Sequence, residues 1–262
     1  MLKIFALCFL ILTFIIICIP FSESLDSRII SGEPTEINRA NYLVSIRYKK
    51  TNNSAFEHRC GGTIYSPQCI LTTATCVIGL DSKHLHVKAG SSYRTQTDGY
   101  LYLVEKYILH PDYNIWFFDN DLALVILAFP LNDNIPKQIA AIPLATNLPA
   151  ENSLAAIAGW GITDASNNSS FSETLQIANV QLVDNSVCKI AYGEGRITPG
   201  MLCAASSNTD ACLGDAGGAL VYKGTALGLI SWGNGCGNSN FPGVYTNLIY
   251  FNEWIQSEVV RI

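Results

Sequence analysis

The sequence predicts an all-β fold, either a β-sandwich or a β-barrel. Short runs of alternating apolar and polar residues recur along the chain, as is typical of strands with one buried face. The clearest runs are residues 42–48, 99–108, 180–183 and 227–232. Turn-forming residues separate such runs, for example at 51–53, 111–112, 132–133, 167–170 and 234–235. Many short strands with this spacing favour a sandwich or barrel.

One helix is predicted near the C-terminus. The apolar residues Phe251, Trp254, Ile255 and Val259 are spaced three to four apart. This spacing places them on one face of a helix. The segment is therefore predicted to be helical, beginning near Asn252.

The composition is that of a globular protein. Apolar residues make up 49% of the 262 residues and charged residues 14%. All-β units of this length often form a single domain. The chain shows no repeat, low-complexity tract or long linker. One domain is therefore expected after the N-terminal segment.

Residues 1–22 are predicted to be a secretory signal peptide. Lys3 precedes an apolar run over residues 4–19, and small residues suited to cleavage follow. The alternative is a membrane anchor, but the run is short for a span of about 20 residues. The mature chain is expected to be secreted, extracellular and exposed to oxidising conditions.

Charge and ligand patterns exclude several classes of function. The net charge is −5, and no basic patch marks a nucleic-acid surface or polybasic membrane anchor. No CxxC pair is present, and the four histidines are scattered, so no zinc site is expected. The sequence predicts no cofactor. Sequons begin at Asn52, Asn167 and Asn168, which are candidate surface glycan sites.

The cysteine count leaves one thiol over. Of nine cysteines, Cys8 and Cys18 fall within the predicted signal peptide, which leaves seven. Disulfides are favoured in a secreted protein. Because seven is odd, at least one thiol is free or pairs between chains.

Six segments in order along the chain resemble trypsin-like serine proteases. They are RIISG at 28–32, CGGTI at 60–64, DNDLAL at 119–124, GWG at 159–161, DACLGDAGG at 210–218, and SWG with PGVY within 231–245. The resemblance runs from Ile29 to the final helix. It implies two packed six-stranded antiparallel β-barrels, divided near residues 140–150, with the site in the cleft between them. It also implies a short propeptide at 23–28 and a mature domain at 29–262.

Two of the three residues of the family's catalytic triad are replaced. The family's histidine stands where this chain has Thr75, and its serine where this chain has Ala216. The aspartate is matched by Asp121. A threonine hydroxyl has no useful proton affinity near neutral pH, and a methyl group is not a nucleophile. The degenerate triad therefore predicts a pseudoprotease and not an enzyme.

The remaining scaffold residues match the family pattern. The resemblance implies three disulfides, Cys60–Cys76, Cys188–Cys203 and Cys212–Cys236. Cys69 is left over and is expected to be a buried free thiol, with intermolecular pairing as the alternative.

The activation residues of the family are also matched. Cleavage after Arg28 would free the Ile29 amine to pair with Asp215. The backbone N–H groups of Gly214 and Ala216 match the family's oxyanion hole, which needs no side chain. Whether cleavage at Arg28 occurs stays open at this point.

The primary specificity pocket resembles that of trypsins. Asp210 matches the carboxylate that pairs with a substrate Arg or Lys, while Gly233 and Gly243 match the walls. The pocket could be open, or it could be blocked, since Leu213 could lean over its mouth and Ala211 departs from the usual serine. The family's calcium loop is not supported, because residues 91–99 offer only Asp98 as a carboxylate.

The resemblance is greatest to the catalytically inactive serine protease paralogues of the scabies mite, which are related to group 3 mite allergens. It implies a secreted protein that binds host defence proteins, complement in particular, without cutting them. The protein is expected to be a monomer. Exposed loops are expected to carry the binding. Two alternatives stay open: an active endopeptidase that cuts after Arg or Lys, and a decoy that occupies protease inhibitors through the Asp210 pocket.

Overall fold

The computed structural model describes residues 29, 32–131, 137–164, 167, 170–206 and 209–261. The predicted signal peptide, the propeptide with Arg28, and Asn168 lie outside these residues. No helix of the described part is long and apolar enough to cross a membrane.

The N-terminal half of the domain forms a closed antiparallel barrel. Its strand order is β2-β3-β4-β7-β6-β5, and β5 pairs back onto β2. The strands are β2 (Leu43–Tyr48), β3 (Glu57–Ile64), β4 (Cys69–Thr72), β5 (Leu85–Ala89), β6 (Tyr100–Leu109) and β7 (Ala123–Leu127).

The C-terminal half forms the second barrel. Its order is β9-β10-β13-β12-β11-β8, closed by pairing of β8 with β9, and the short β1 adds to the edge of β9. The strands are β1 (Glu33–Pro34), β8 (Leu154–Gly159), β9 (Gln176–Val183), β10 (Met201–Ala205), β11 (Ala219–Tyr222), β12 (Thr225–Trp232) and β13 (Gly243–Asn247). The prediction of two six-stranded antiparallel barrels is confirmed.

Strand β7 shows how the two barrels share a core. All five of its residues are buried, and alternate side chains of a strand point to opposite faces. Leu124 and Ile126 join the cluster between the barrels, which also contains Trp160 of the second barrel. Val125 and Leu127 fill the interior of the first barrel. The strand therefore holds the two barrels in contact, and the cleft forms along their junction.

The C-terminal helix packs on the cluster between the barrels. Helix α3 spans Asn252–Val260, so the predicted helix is confirmed. Phe251 and Ile255 are buried there, with Trp254 and Val259 half-buried against them. The ring of His110 lies 5.0 Å from that of Phe251 and 4.7 Å from that of Trp254. His110 is thus a packing residue of this junction.

Two further helices were not predicted. Helix α1 has four residues, Ala74–Val77. Helix α2 has eight, Asn185–Tyr192, and begins where the Asp184 side chain accepts a hydrogen bond from the Ser186 N–H. Only one side chain of α2 is buried, Cys188, and the eight residues of the helix are fewer than the window of about 11–18 over which a helical period is recognised.

The disulfides agree with the expected pattern. The bonds Cys60–Cys76, Cys188–Cys203 and Cys212–Cys236 are all present. The remaining thiol, Cys69, is free and 2% exposed, and burial raises its pKa to about 12. A thiol so deeply buried packs as a small apolar side chain, as expected.

A lysine closes the loop that the family uses for calcium. The buried Lys88 ammonium donates to the carbonyl oxygens of Tyr93 and Gln96, at 2.9 and 2.6 Å, and lies 3.3 Å from Asp98 Oδ1. Ser91 also donates to Asp98 Oδ1, at 2.7 Å. The oxygen atoms of this loop therefore already bind the positively charged ammonium group of Lys88. Within the described residues, no cluster of His, Cys, Asp and Glu has the form of a metal site.

Candidate functional site

Helix α1 places Thr75 in the cleft. Strand β4 ends at Thr72, and the chain turns into α1 two residues later. The Cys60–Cys76 disulfide ties α1 to β3. Thr75 and Ala216 line the same cavity, which lies between the barrels. The two replaced triad positions are therefore brought together.

Thr75 makes two hydrogen bonds to Asp121. Its backbone N–H and its hydroxyl each donate to Asp121 Oδ1 at 2.9 Å. The Thr75 hydroxyl also lies 2.9 Å from the hydroxyl of Tyr113. Because the single hydroxyl proton of Thr75 goes to the carboxylate, Tyr113 is the donor to Thr75. Thr75 thus links a phenol to the buried acid.

The Asp121 carboxylate is fully engaged. Ser231 Oγ donates to its second oxygen, Oδ2, at 2.6 Å, and the Thr246 hydroxyl donates to its backbone carbonyl at 2.7 Å. Burial raises the pKa of Asp121, while the hydrogen bonds from Ser231 and Thr75 act in the opposite direction. Where this carboxylate would orient an imidazole, it binds the hydroxyl of Thr75, which cannot take up a proton near neutral pH.

Ala216 lies in the loop between Cys212 and strand β11. Gly214 and Gly217 in this loop have φ angles of 101° and 85°, a region that side chains with a Cβ rarely adopt. Ala216 packs against the core cluster of the first barrel. Its methyl group has no lone pair to attack a carbonyl carbon.

Two backbone N–H groups make up the predicted oxyanion hole. Within the described residues, the N–H groups of Gly214 and Ala216 have no acceptor. Both residues line the cavity. A bound carbonyl oxygen could accept from them, and this contact requires no catalytic side chain.

His58 supports this loop from the side of the first barrel. Its Nε2 lies 2.9 Å from the Gly214 carbonyl oxygen and its Nδ1 lies 2.7 Å from Ser45 Oγ. Because a carbonyl only accepts, Nε2 carries the proton and Nδ1 accepts from Ser45. Burial lowers the pKa of His58 to about 4. Both ring nitrogens are engaged, and His58 does not line the cavity, so it is not placed to accept a proton there. No histidine is among the described residues that line the cavity.

The cavity extends to a pocket with Asp210 at its floor. Its volume is about 780 Å³, within the usual range for ligand sites. Asp210 accepts from the Gly237 N–H at 2.8 Å, and burial raises its pKa to about 6. A Cβ on Gly243 would lie 3.1 Å from Asp210 Oδ1, so a side chain there would narrow the floor.

The mouth of the pocket stays open beside Leu213. Leu213 lines the cavity but is 62% exposed, and Ala211 and Gly233 add little bulk to the walls. At the floor, the Tyr245 hydroxyl is buried and has no partner within the described residues. Unpaired buried polar atoms cost about 1–3 kcal/mol, which a polar ligand would offset.

Asp215 is buried beneath the loop. Its Oδ1 accepts from the Gly161 N–H at 2.7 Å and its Oδ2 from the Cys212 N–H at 3.0 Å. No salt bridge joins it to another described residue, and burial raises its pKa to about 6. Ile29 is fully buried in the core cluster of the second barrel. The pairing of a freed Ile29 amine with Asp215 stays a prediction.

Several residues of the cleft were not predicted. They are Tyr113 beside Thr75, Phe118 beside Trp232 and Phe117 beside Arg196. Ser231 lies in the SWG segment, but its contact with Asp121 was not predicted. The sequence signal was limited to an apolar run at 115–118 in an otherwise polar stretch.

Comparison with known proteins gives the family. The family model described as Trypsin matches residues 29–255. The chain is 40% identical over 236 residues to trypsin eta of Drosophila erecta, covering 89% of this chain and 91% of the relative. It is 39% identical over 235 residues to trypsin alpha of Drosophila melanogaster, covering 89% and 88%. Taken with the two barrels and the Asp210 pocket, these matches show that the chain belongs to the trypsin family of serine proteases.

Proposed function

We propose that this protein is a secreted, proteolytically inactive trypsin homologue that acts by binding. The observation that carries the proposal is the Thr75 hydroxyl bound to Asp121, with the Ala216 methyl group in the same cavity. Neither a proton acceptor nor a nucleophile is present where the reaction needs them. The three disulfides fit an oxidising, extracellular location.

The size of the loss in catalytic rate expected for an incomplete triad supports a role without catalysis. A protease that lacks a member of its triad keeps roughly 10³–10⁴-fold acceleration over water, from binding and the oxyanion hole. Peptide hydrolysis in water is so slow that this remainder has no biological use. The open Asp210 pocket, by contrast, needs no triad in order to bind a cation.

The first test measures turnover and binding on the same preparation. Protein processed at Arg28 is expected to give no hydrolysis of Arg and Lys p-nitroanilides above that of a mock preparation. It is expected to bind benzamidine saturably, because the amidinium pairs with the Asp210 carboxylate. Asp210→Asn removes the charge at nearly constant size and should weaken binding about 10–100-fold, the range for a hydrogen bond to a charged group.

The outcomes separate the proposed binder from its two alternatives. Turnover that copurifies with the protein, and that an Arg-directed active-site reagent titrates, would establish an active endopeptidase and refute the proposal. Tight binding of a protein inhibitor with a basic contact residue, lost in Asp210→Asn, would favour the decoy role. Absence of benzamidine binding would exclude both the decoy role and the endopeptidase that cuts after Arg or Lys, because both need access to Asp210.

For the partner, we propose a defence protein of a host, with complement components first. The support is the resemblance to inactive mite paralogues, and the exposed side chains of Trp116 in a loop and Ile190 on helix α2 provide apolar surface for a protein contact. The processed protein, acting as a monomer, is expected to lower complement-dependent haemolysis in a dose-dependent way. Unchanged haemolysis at excess protein would refute this choice of partner.

A further inference from the structure

Three charged residues line the cleft among the residues that the structure describes. Asp210 lies at the floor of the pocket, Arg59 comes from β3 of the first barrel, and Arg196 follows α2 beside the second barrel. Asp210 is the sole carboxylate among the described lining residues. The cleft thus combines one acidic floor with one arginine from each barrel.

Arg196 is held over aromatic rings and retains donors for a ligand. Its guanidinium carbon lies 4.8 Å from the ring centroid of Trp232 and 5.5 Å from that of Phe117. Its Nη1 makes a long contact of 3.5 Å to the Trp116 carbonyl oxygen. No carboxylate of the described residues forms an ion pair with it. Stacking positions the planar group while most of its five N–H donors stay available.

Arg59 is anchored in a similar way on the first barrel. Its Nε donates to the Cys76 carbonyl oxygen at 2.7 Å, and its guanidinium carbon lies 5.8 Å from the Tyr48 ring. The two terminal amino groups have no acceptor among the described residues, and no ion pair neutralises the charge. The side chain is exposed, so its contribution to binding is screened more strongly than that of the half-buried Arg196.

We propose that the cleft selects a peptide segment in which a basic residue is flanked by acidic residues. The basic side chain pairs with Asp210, and the flanking carboxylates pair with Arg196 and Arg59. Arginine binds carboxylates through two parallel hydrogen bonds, which makes such contacts selective as well as attractive. This inference rests on the proposed binding function and specifies its ligand. At physiological salt, charges beyond about 8 Å are screened, so these two local arginines outweigh the net charge of −5.

The test compares three fluorescent peptides on the processed protein by anisotropy. Each has a central Arg; the residues two and three positions away on both sides are Gly, Asp or Lys. We expect the acidic peptide to bind about tenfold more tightly than the Gly peptide at low salt, and the Lys peptide to bind most weakly. The advantage should shrink at 0.5 M salt, where the Debye length falls to about 4–5 Å.

Substitutions test whether the two arginines cause the tighter binding of the acidic peptide relative to the Gly peptide. Arg196→Gln and Arg59→Gln should each reduce it, Arg196→Gln by more, and the double variant should abolish it. Arg261→Gln, on an exposed side chain of the C-terminal end, is the charge-matched control and should change nothing. All four variants should bind benzamidine as tightly as the wild type, because benzamidine contacts only the Asp210 floor of the pocket.

Failure of this inference and failure of the proposed function give different results. Equal affinity for the acidic and Gly peptides, with benzamidine still bound, would overturn the inference and leave the binding function standing. An advantage that persists in the Arg59→Gln, Arg196→Gln double variant would also overturn it. Loss of benzamidine and of all three peptides would overturn the inference, because no ligand would then enter the Asp210 pocket, whereas hydrolysis of the Arg p-nitroanilides would overturn the proposed function.

Discussion

Processed protein that carries both Thr75→His and Ala216→Ser is expected to hydrolyse Arg and Lys amides, whereas each single variant stays at background. The imidazole would take the place of the Thr75 hydroxyl next to Asp121 Oδ1, which lies 2.9 Å from that hydroxyl. Asp121 keeps its bond from Ser231 and so remains available to orient the ring. Serine and histidine act as one unit, so restoring only one of them gains almost nothing.

The expected size of the effect is large. The double variant should exceed each single variant in kcat by about 10³-fold or more, because full triads contribute on the order of 10⁶. The measurement is initial-rate kinetics with Arg, Lys and Phe p-nitroanilides. Adding Asp210→Asn to the double variant should cut kcat/KM for Arg substrates by about 100-fold while leaving the Phe substrate little changed.

An inactive double variant would contradict the preserved cleft. The relevant control is its affinity for benzamidine, which reports folding and access to Asp210. Normal benzamidine affinity without turnover would show that the loop at 212–218 does not present Ser at position 216 to the imidazole. Turnover in the Ala216→Ser single variant would show instead that another group acts as base.

The fold could be predicted because its signals are local. Alternation along 42–48 and 227–232 marked strands that the structure has at Leu43–Tyr48 and Thr225–Trp232. Strand β7 has no alternation, because the inter-barrel cluster buries one of its faces and the barrel interior the other. Its five apolar residues alone could not distinguish a strand from a buried helical segment.

The sequence predicted which residues stand at the candidate site, but not the residues that form hydrogen bonds with them. Thr75 and Ala216 could be placed because short motifs surround them in the chain. The partners Tyr113 and Ser231 could not, since they lie 38 residues from Thr75 and 110 residues from Asp121 in sequence. The Lys88 ammonium is a similar case: nothing local indicates that a lysine in a strand turns into the adjacent loop. The contact of Ser231 with Asp121 depends on the packing of one barrel against the other, whereas those of Tyr113 and Lys88 depend on how the loops of the first barrel fold.

Asp215 is expected to lower the stability of the uncleaved chain near neutral pH. Its pKa is about 6 in the folded protein, against an ordinary value of 3.8. A carboxyl whose pKa is raised by folding stabilises the fold while it is protonated. That stability is complete below about pH 4 and is lost as pH rises through about 6. The unfolding free energy at pH 7.5 is thereby lowered by about 3 kcal/mol.

Asp215→Asn isolates this contribution in urea unfolding between pH 4 and 7.5. Asp210 has the same raised pKa, whereas His58, with its pKa lowered to about 4, acts in the opposite direction over the same window. Asp210 and His58 contribute equally to the wild type and to Asp215→Asn. Subtracting the two slopes of unfolding free energy against pH therefore removes their contributions. We expect the unfolding free energy of the variant to fall less with rising pH, by up to about 1.4 kcal/mol per pH unit. Asp210→Asn is the matched control, because it removes another buried carboxyl group whose pKa is raised to about 6.

Cleavage after Arg28 should remove the same penalty from the wild type. The new Ile29 ammonium can pair with the Asp215 carboxylate, and a paired buried charge costs far less than an unpaired one. Cleavage also frees Ile29 from a φ of 33°, which β-branched residues rarely adopt. Processed wild type should therefore unfold at a higher urea concentration at pH 7.5 than the uncleaved protein. Processed Asp215→Asn should gain much less, and equal gains in the two proteins would show that the Ile29 amine does not reach Asp215.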